Sequence, residues 1–302
     1  MTMPNFIIIG AAKSGTTALY KYLQQHPDIF MSEVKEPRFF AFEGETLAFK
    51  GPYDHGTRFN TETITDLATY EALFDGVQNE AIIGEASPAY LSSAEKASAR
   101  IQHHVPQAKL IAILRQPAER AYSGFMHTVR NGWEKNLNFA QVLEQEEQRI
   151  QDHWGALWHH QTLGFYSEQL THYYQRFSKE QMRVYLYDDL KNDAPGLMRD
   201  IFQFLEVDDS FEPDMTKKVN MSGITRNQWL RQFLSRPDPI KNALKPLLPK
   251  RFRQSLVQKA KDGNLVRPSI SPEIRHQLTQ VYQEDILKLQ DLIDRDLSTW
   301  MS

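Results

Sequence analysis

The chain has 302 residues, of which 41% are hydrophobic and 24% charged, and its formal net charge is −3. A chain of this length buries roughly 75% of the surface that it exposes when unfolded, which excludes a disordered protein and a disulfide-dependent mini-scaffold. Cysteine is absent, which excludes thiolate zinc sites, disulfides and a cysteine nucleophile and is typical of a reducing compartment.

Short apolar runs alternate with amphipathic segments along the chain. The runs predict buried parallel strands at 6–9, 81–83, 109–114 and 182–187. Helices are predicted at 16–25, 117–130, 138–152, 165–177, 195–205 and 272–300, the last with Ser271 as its N-cap. Strand–helix alternation predicts an α/β fold with a P-loop type parallel sheet flanked by helices. We expect a single domain over residues 1–302, with loop and helix insertions.

Two segments stand outside this alternation. Residues 42–65 are polar and glycine-rich, which predicts a long functional loop. Residues 231–268 carry ten Lys or Arg against two Asp or Glu, a net charge of +8 that leaves −11 for the rest of the chain. This basic segment is expected to be a solvated lid. Peripheral contact with an anionic membrane and binding of an anionic acceptor are the alternatives, and no nucleic-acid motif accompanies the charge.

No run approaches the roughly 18 apolar residues that a membrane-spanning helix needs. The most apolar segment near the start, 6–12, ends at Lys13 and has no basic region before it, unlike a signal peptide. We therefore expect a cytoplasmic protein.

The most informative motif is Gly10-Ala-Ala-Lys-Ser-Gly-Thr-Thr17, between the first strand and the first helix. In that position, backbone N–H groups and a helix N-terminus cradle a phosphate. The two glycines have Walker A spacing, but Thr16 stands where the Walker lysine would be and the lysine lies earlier, at Lys13. The loop keeps the phosphate cradle and changes what the lysine reaches.

This motif resembles the 5'-phosphosulfate loop of sulfotransferases that use 3'-phosphoadenosine-5'-phosphosulfate (PAPS). The segment 110–123, with Arg115 at a strand end and Ser123 on the next helix, resembles the family's 3'-phosphate site. The segments 85–91, 164–166 and 202–207 are similar to the branch that contains heparan-sulfate and other glycan sulfotransferases. The basic loop 217–226 resembles the family's nucleotide-covering loop, with Arg226 as its binding residue.

The resemblance implies a site-residue set and a metal-free reaction. It implies that PAPS is bound by Lys13, Ser14, Gly15, Thr16, Thr17, Arg115, Ser123 and Arg226. Lys13 would act on the leaving oxygen and Glu36, just before a Phe-Phe pair, would be the general base, with Glu33 as its rival. His127 lies four residues after Ser123 and is either an acceptor-side catalytic residue or a hydrogen-bonded core histidine.

Sulfuryl transfer needs cations at the leaving oxygen, a clamp on the nucleotide and a base for the acceptor. The resemblance favours a carbohydrate or glycolipid hydroxyl, or an amine, as acceptor, and other alcohols stay open. The glycan branch has a lysine where this chain has Ala86, so Lys35 or Arg38 supplies the missing charge or the acceptor differs.

Two other classes compete with this interpretation. A P-loop kinase would use ATP with magnesium, and the absent Walker lysine argues against it. A nucleotide-binding module without catalysis would not need Lys13 and Glu36 together. His153, His159 and His160 lack a metal-ligand spacing and are expected to line the acceptor cleft.

Overall fold

The structure, a computed structural model, describes residues 2–52, 55–216 and 269–302, with the backbone of Ile224–Thr225 and Leu265–Val266 between them. Arg226 and, apart from that backbone, the basic segment 231–268 lie outside the described residues.

A parallel sheet of five strands forms the centre of the described structure. Its strands are β1 Phe6–Gly10, β2 Ile29–Met31, β3 Ile82–Ala86, β4 Lys109–Leu114 and β5 Met182–Leu186. Their order in the sheet is β2-β3-β1-β4-β5, and every pairing is parallel. The predicted α/β class is confirmed. The two further strands, β6 Ile224–Thr225 and β7 Leu265–Val266, pair antiparallel outside this sheet.

Helices cover both faces of the sheet. In chain order they are α1 Thr16–Leu23, α2 Phe39–Phe42, α3 His55–Glu62, α4 Leu67–Glu71, α5 Ala89–Ser92, α6 Ala94–His104, α7 Pro117–Arg130, α8 Phe139–Glu144, α9 Glu146–Gln151, α10 Tyr166–Tyr174, α11 Tyr187–Asn192, α12 Ala194–Leu205 and α13 Pro272–Ile293. Within the described residues, no helix combines the length and apolarity needed to cross a membrane.

The two faces of the sheet belong to two hydrophobic clusters. Side chains alternate along a strand, so Ile7 and Ile9 of β1 pack with α7 and α13 while Phe6 and Ile8 pack with α1 and α12. The helices that follow the neighbouring strands β1 and β4 therefore lie on opposite faces. This divergence opens a crevice at the carboxyl ends of the two strands, which is the usual ligand position in such sheets.

Three predicted elements differ from the structure. The predicted helix 138–152 is two helices, α8 and α9, which meet at Gln145. The predicted final helix ends at Ile293, because Asp294 adopts a left-handed conformation with φ 51°. The predicted loop 42–65 contains α3. The strand β2 and the helices α2, α4, α5, α6 and α11 were not predicted.

Gly84 of β3 tests how tightly this sheet is packed. An ideal Cβ at Gly84 would lie 2.0 Å from Cε1 of the fully buried Phe6 on β1. Overpacking of a core costs typically 1–3 kcal/mol, so Gly84→Ala should lower the free energy of unfolding by about 2 kcal/mol in denaturant titration. Gly155→Ala is the control, because its Cβ meets no atom within 4 Å. Equal stability of the two variants would contradict the close approach.

Candidate active site

The loop from Gly10 to Gly15 connects β1 to α1. Gly15 is the N-cap of α1, has φ 110° and supplies no side chain to cap the helix. A Cβ there would lie 2.8 Å from Cδ2 of Leu190, so glycine is required both for the conformation and for space. The first N–H groups of a helix lack intrahelical acceptors, and a phosphate provides them.

A cavity of about 1260 Å³ lies over this loop. It brings together most of the residues that the sequence predicts for the site: Lys13, Gly15, Thr16, Thr17, Glu36, Arg115, Ser123 and His127. Among the predicted residues that the structure describes, Ser14 is the exception, because it is fully buried and does not line the cavity. Its backbone N–H donates to the Ala11 carbonyl oxygen at 3.3 Å, so Ser14 shapes the loop.

Lys13 stands in a strongly cationic environment. Burial lowers the pKa of Lys13 to about 8, and the positive charges of Arg130, Lys35 and Arg115 act in the same direction. Glu36 opposes them. This concentration of positive charge within one cavity favours an anionic ligand, whose binding would raise the pKa of Lys13.

Glu36 is held between two cations. Its Oε1 lies 2.6 Å from Lys35 Nζ and its Oε2 lies 3.4 Å from Arg38 Nη2. Burial acts to raise the pKa of Glu36, but the charges and hydrogen bonds of Lys35 and Arg38 outweigh it and hold the pKa below its usual range. The side chain remains 36% exposed toward the cavity. Glu33, by contrast, is exposed and lies outside the cavity lining.

Arg115 follows the last residue of β4, and its guanidinium lies over the Tyr187 ring, 4.9 Å from the centroid. Its Nη2 is 3.4 Å from Glu119 Oε2, and its carbonyl oxygen accepts a hydrogen bond from the Tyr166 hydroxyl at 2.9 Å. These contacts fix a planar, permanently charged group at the wall of the cavity that Ser123 also lines, as a phosphate clamp requires.

His127 lies on α7 and contacts Arg130, whose Nη2 is 3.1 Å from His127 Nδ1. A guanidinium only donates, so Nδ1 accepts from Arg130, and the Asn131 amide nitrogen lies 3.3 Å from Nε2. Both side chains line the cavity, which places His127 at the surface of the cavity and outside the core.

Arg130 and Tyr187 are among the cavity residues that sequence reasoning missed. Arg130 lies seven residues after Ser123 and three after His127, so helical periodicity alone puts the three on one face of α7. Tyr187 directly follows β5, at the carboxyl edge of the sheet where ligand contacts are expected. Both signals were available in the sequence.

The three clustered histidines separate in the structure. His159 lines the cavity, whereas His160 is fully buried against Gly124 and His153 is exposed. Burial and the nearby charge of Arg120 hold the pKa of His160 well below its usual range. Across residues 2–52, 55–216 and 269–302, no three His, Cys, Asp or Glu side chains are grouped as a metal site would need.

The fold and the cavity define a class: an α/β protein with a phosphate loop, a guanidinium clamp and a carboxylate beside the loop lysine, suited to transferring a group from a phosphorylated nucleotide. The chain matches the family of the sulfotransferase domain over residues 3–290 and belongs to that family.

The relatives described here are longer than this chain. It is 33% identical over 130 residues to the membrane-associated sulfotransferase kil1 of Dictyostelium discoideum, covering 43% of this chain and 24% of that protein. It is 29% identical over 215 residues to bifunctional heparan sulfate N-deacetylase/N-sulfotransferase 4 of Mus musculus, covering 68% of this chain and 22% of that protein. The chain thus spans about a quarter of the length of these relatives.

A solved structure matches over the whole chain. The crystal structure of a sulfotransferase from Alicyclobacillus acidocaldarius superimposes with a TM-score of 0.77 at 33% identity, covering 100% of both chains. Sulfotransferases of this family take the sulfuryl group from PAPS, and the sequence motifs that resemble its phosphosulfate loop and 3'-phosphate site are the ones that meet in the cavity.

Proposed function

We propose that this chain transfers the sulfuryl group of PAPS to a hydroxyl or amine of a carbohydrate or glycolipid acceptor, with Glu36 as general base. The observation that carries the proposal is the convergence of Lys13, Glu36 and Arg115 on one cavity above the phosphate loop. Glu119 also lines the cavity and has two cationic partners, Arg115 at 3.4 Å and Arg275 at 3.6 Å, but Glu36 is the carboxylate whose charge acts on the pKa of Lys13.

The proposed reaction is an in-line displacement at sulfur. The acceptor oxygen or nitrogen forms its bond to sulfur while the bond from sulfur to the 5'-phosphate oxygen breaks, and the acceptor proton moves to Glu36. Negative charge builds on the leaving phosphate, where the Lys13 ammonium and the N–H groups at the start of α1 stabilise it. Glu36 is ionised at neutral pH because Lys35 and Arg38 hold its pKa low, so it is ready to accept a proton.

We propose that the same cavity recognises the nucleotide. Gly15, Thr16 and Thr17 would hold the 5'-phosphate, and Arg115 with Ser123 would hold the 3'-phosphate that distinguishes PAPS from ADP. Ser14 would act through the loop backbone. Arg226 belongs to this proposal as a covering residue and lies outside the described residues.

Ala86 is fully buried and its carbonyl oxygen accepts the Glu36 N–H at 3.1 Å. Position 86 is therefore next to Glu36, where a lysine would reach the transferring group. Lys35 and Arg38 already bring two positive charges to this point, and we propose that they supply the charge that the glycan branch takes from its lysine.

The wider setting rests on sequence features. We propose a cytoplasmic location, supported by the absence of cysteine, and an acceptor that is a small molecule or glycan rather than a nucleic acid. A heparan sulfate glucosamine 3-O-sulfotransferase, 3B1 of Homo sapiens, is 29% identical over 207 residues, 67% of this chain and 46% of that protein, which supports a carbohydrate acceptor.

A thermal-shift titration with 3'-phosphoadenosine-5'-phosphate (PAP), ADP and ATP–magnesium tests the donor assignment. A ligand at 100 times its Kd stabilises the native state by about 2.7 kcal/mol, so PAP should raise Tm by several degrees without magnesium. ADP should do so much less. Arg115→Ala should remove the difference between PAP and ADP, since a charge-assisted hydrogen bond contributes about 1.5–3 kcal/mol.

Stabilisation by ATP–magnesium alone would contradict the donor assignment and favour a kinase. Once PAP binding is shown, PAPS turnover with desulfated heparan oligosaccharides, glycolipids and simple phenols identifies the acceptor class. Transfer to the phenols alone would contradict the carbohydrate assignment and leave the donor site unaffected.

A further inference from the structure

The segment that carries Glu36 has an unusual backbone. Both Glu36 and Arg38 adopt left-handed conformations, with φ 65° and 62°. Residues with a Cβ occupy this region at a cost and persist in it only where surrounding contacts hold them. The position of the Glu36 carboxylate thus depends on whatever fixes the backbone of residues 36–40.

Three alternate N–H groups of this segment are bonded to the residues at and after the end of β3. The Glu36 N–H donates to the Ala86 carbonyl oxygen at 3.1 Å. The Arg38 N–H donates to Ser87 Oγ at 3.1 Å, and the Phe40 N–H donates to the Tyr90 hydroxyl oxygen at 3.5 Å. Two of the three anchors are therefore side-chain hydroxyls, whose own protons need acceptors.

Glu85 accepts those protons. The Ser87 hydroxyl donates to Glu85 Oε2 at 2.9 Å, and the Tyr70 hydroxyl donates to Oε1 at 3.2 Å. The Tyr90 hydroxyl interacts with the same carboxylate. Glu85, Ser87, Tyr70 and Tyr90 are all fully buried, so water does not replace a lost partner.

We propose that Glu85 is a positioning residue for sulfuryl transfer: its carboxylate orients the Ser87 and Tyr90 hydroxyls, which hold residues 36–40 and place the Glu36 carboxylate. The proposal rests on the proposed role of Glu36 as general base. Glu85 itself does not line the cavity, so it acts through the backbone of the segment and touches neither donor nor acceptor.

The network needs the ionised carboxylate. An ionised carboxylate only accepts, so it takes all of the surrounding hydroxyl protons, whereas a protonated one carries an O–H that must itself donate. Protonation would leave one hydroxyl proton without an acceptor in a buried site, and would free an anchor of residues 36–40.

The charge of Glu85 is sensitive to pH near neutrality. Burial raises the pKa of Glu85 to about 7, against the hydrogen bonds of Tyr90, Ser87 and Tyr70 and the charge of Lys35. Tyr70 on α4, Tyr90 on α5 and Tyr173 on α10 face it, and burial holds the pKa of each well above its usual range. Those tyrosines therefore stay neutral while Glu85 changes charge.

Amide hydrogen exchange and PAPS turnover in the full-length chain test this role. In Glu85→Gln and Ser87→Ala, the protection factors of the Arg38 and Phe40 amides at pH 8 should fall at least tenfold. With water as the acceptor and PAPS saturating, the first-order rate of PAPS cleavage should fall about tenfold in both variants. KM for PAPS and Kd for PAP should stay within twofold of the wild-type values. Tyr70→Phe is the control, because it removes only one proton donor to Glu85 and keeps the ring that packs on Phe39 and Phe40, and at pH 8 it should match wild type.

The pH profile separates positioning from general damage. Wild-type turnover should fall as Glu85 protonates below pH 7, and Glu85→Gln should be slow and lack that limb. A raised carboxyl pKa contributes stability that is lost as pH rises through the folded value. The difference in Tm between Glu85→Gln and wild type should therefore shift in favour of the variant as the pH rises from 5 to 8, although the turnover of the variant is lower.

Unchanged protection and turnover in Glu85→Gln would overturn the proposal. Glu36→Gln distinguishes this failure from failure of the proposed function. If Glu36→Gln is inactive while Glu85→Gln is fully active, Glu36 remains the general base and Glu85 has no positioning role. A fully active Glu36→Gln removes the base, and the protection factors then decide alone whether Glu85 holds the segment.

Discussion

Glu36→Gln should reduce turnover by about 10³-fold and leave PAP binding almost unchanged. General base catalysis contributes typically 10²–10⁴-fold, and the amide keeps the shape of the side chain while it loses the ability to take a proton. Because Glu36 is a negative charge beside a cationic nucleotide site, its removal should if anything tighten PAP binding. The measurements are kcat with PAPS and acceptor, and Kd for PAP by calorimetry.

Glu33→Gln is the matched control for this variant. Glu33 lies three residues earlier, is exposed and does not line the cavity, so its neutralisation should change kcat by less than twofold. Since Glu36 raises the pKa of Lys13, the Glu36 variant should also show an alkaline limb at lower pH than wild type. Normal turnover in Glu36→Gln would remove the glutamate from the mechanism.

The best-predicted parts of the fold are those with strong local signals. The bounds of α7 and of β4 agree with prediction at both ends. Pro117 is pre-organised for the first turn of a helix, and the apolar run 109–114 has the length and branching of a buried parallel strand. In both elements, local propensity and tertiary packing favour the same structure.

Other elements depend on distant contacts and were missed or misjudged. β2 has three residues and is defined by its pairing with β3, some fifty residues later. The predicted helix 138–152 breaks at Gln145, where the buried Glu146 accepts the Gln161 and Thr162 N–H groups at 2.7 Å each. Composition alone does not reveal such tertiary requirements.

For the site, motifs predicted which residues meet, but not how they are held. The left-handed conformations of Lys13 and Glu36 are not those usually adopted by residues with a Cβ. The turn of the loop also buries Ser14, which the motif had grouped with the phosphate-binding residues. The hydrogen bonds that residues 36–40 make with the residues at and after the end of β3 join segments some fifty residues apart. No sequence motif predicts them.

Lys13→Ala should have an effect as large as that of Glu36→Gln, by a different route. Loss of one preorganised donor to a developing oxyanion costs typically 10²–10³-fold in turnover, and the missing ammonium also weakens the grip on the 5'-phosphate. We therefore expect kcat to fall by at least 10²-fold and PAP affinity to fall as well. Lys21→Ala, on the exposed side of α1, is the control and should leave both unchanged.

The pH dependence gives Lys13 a second, independent signature. With its pKa lowered to about 8 in the unliganded protein, Lys13 loses its proton above that pH, so kcat/KM for PAPS should decline on the alkaline side with a midpoint near 8. Lys13→Arg should turn over more slowly but should keep the positive charge, so the alkaline limb of its kcat/KM profile should move beyond pH 10. An anionic ligand raises the pKa of Lys13, so the protein should take up protons when it binds PAP at pH 8.5. Calorimetry in buffers of different ionisation enthalpy measures this uptake, and zero uptake in wild type would place Lys13 away from the phosphate.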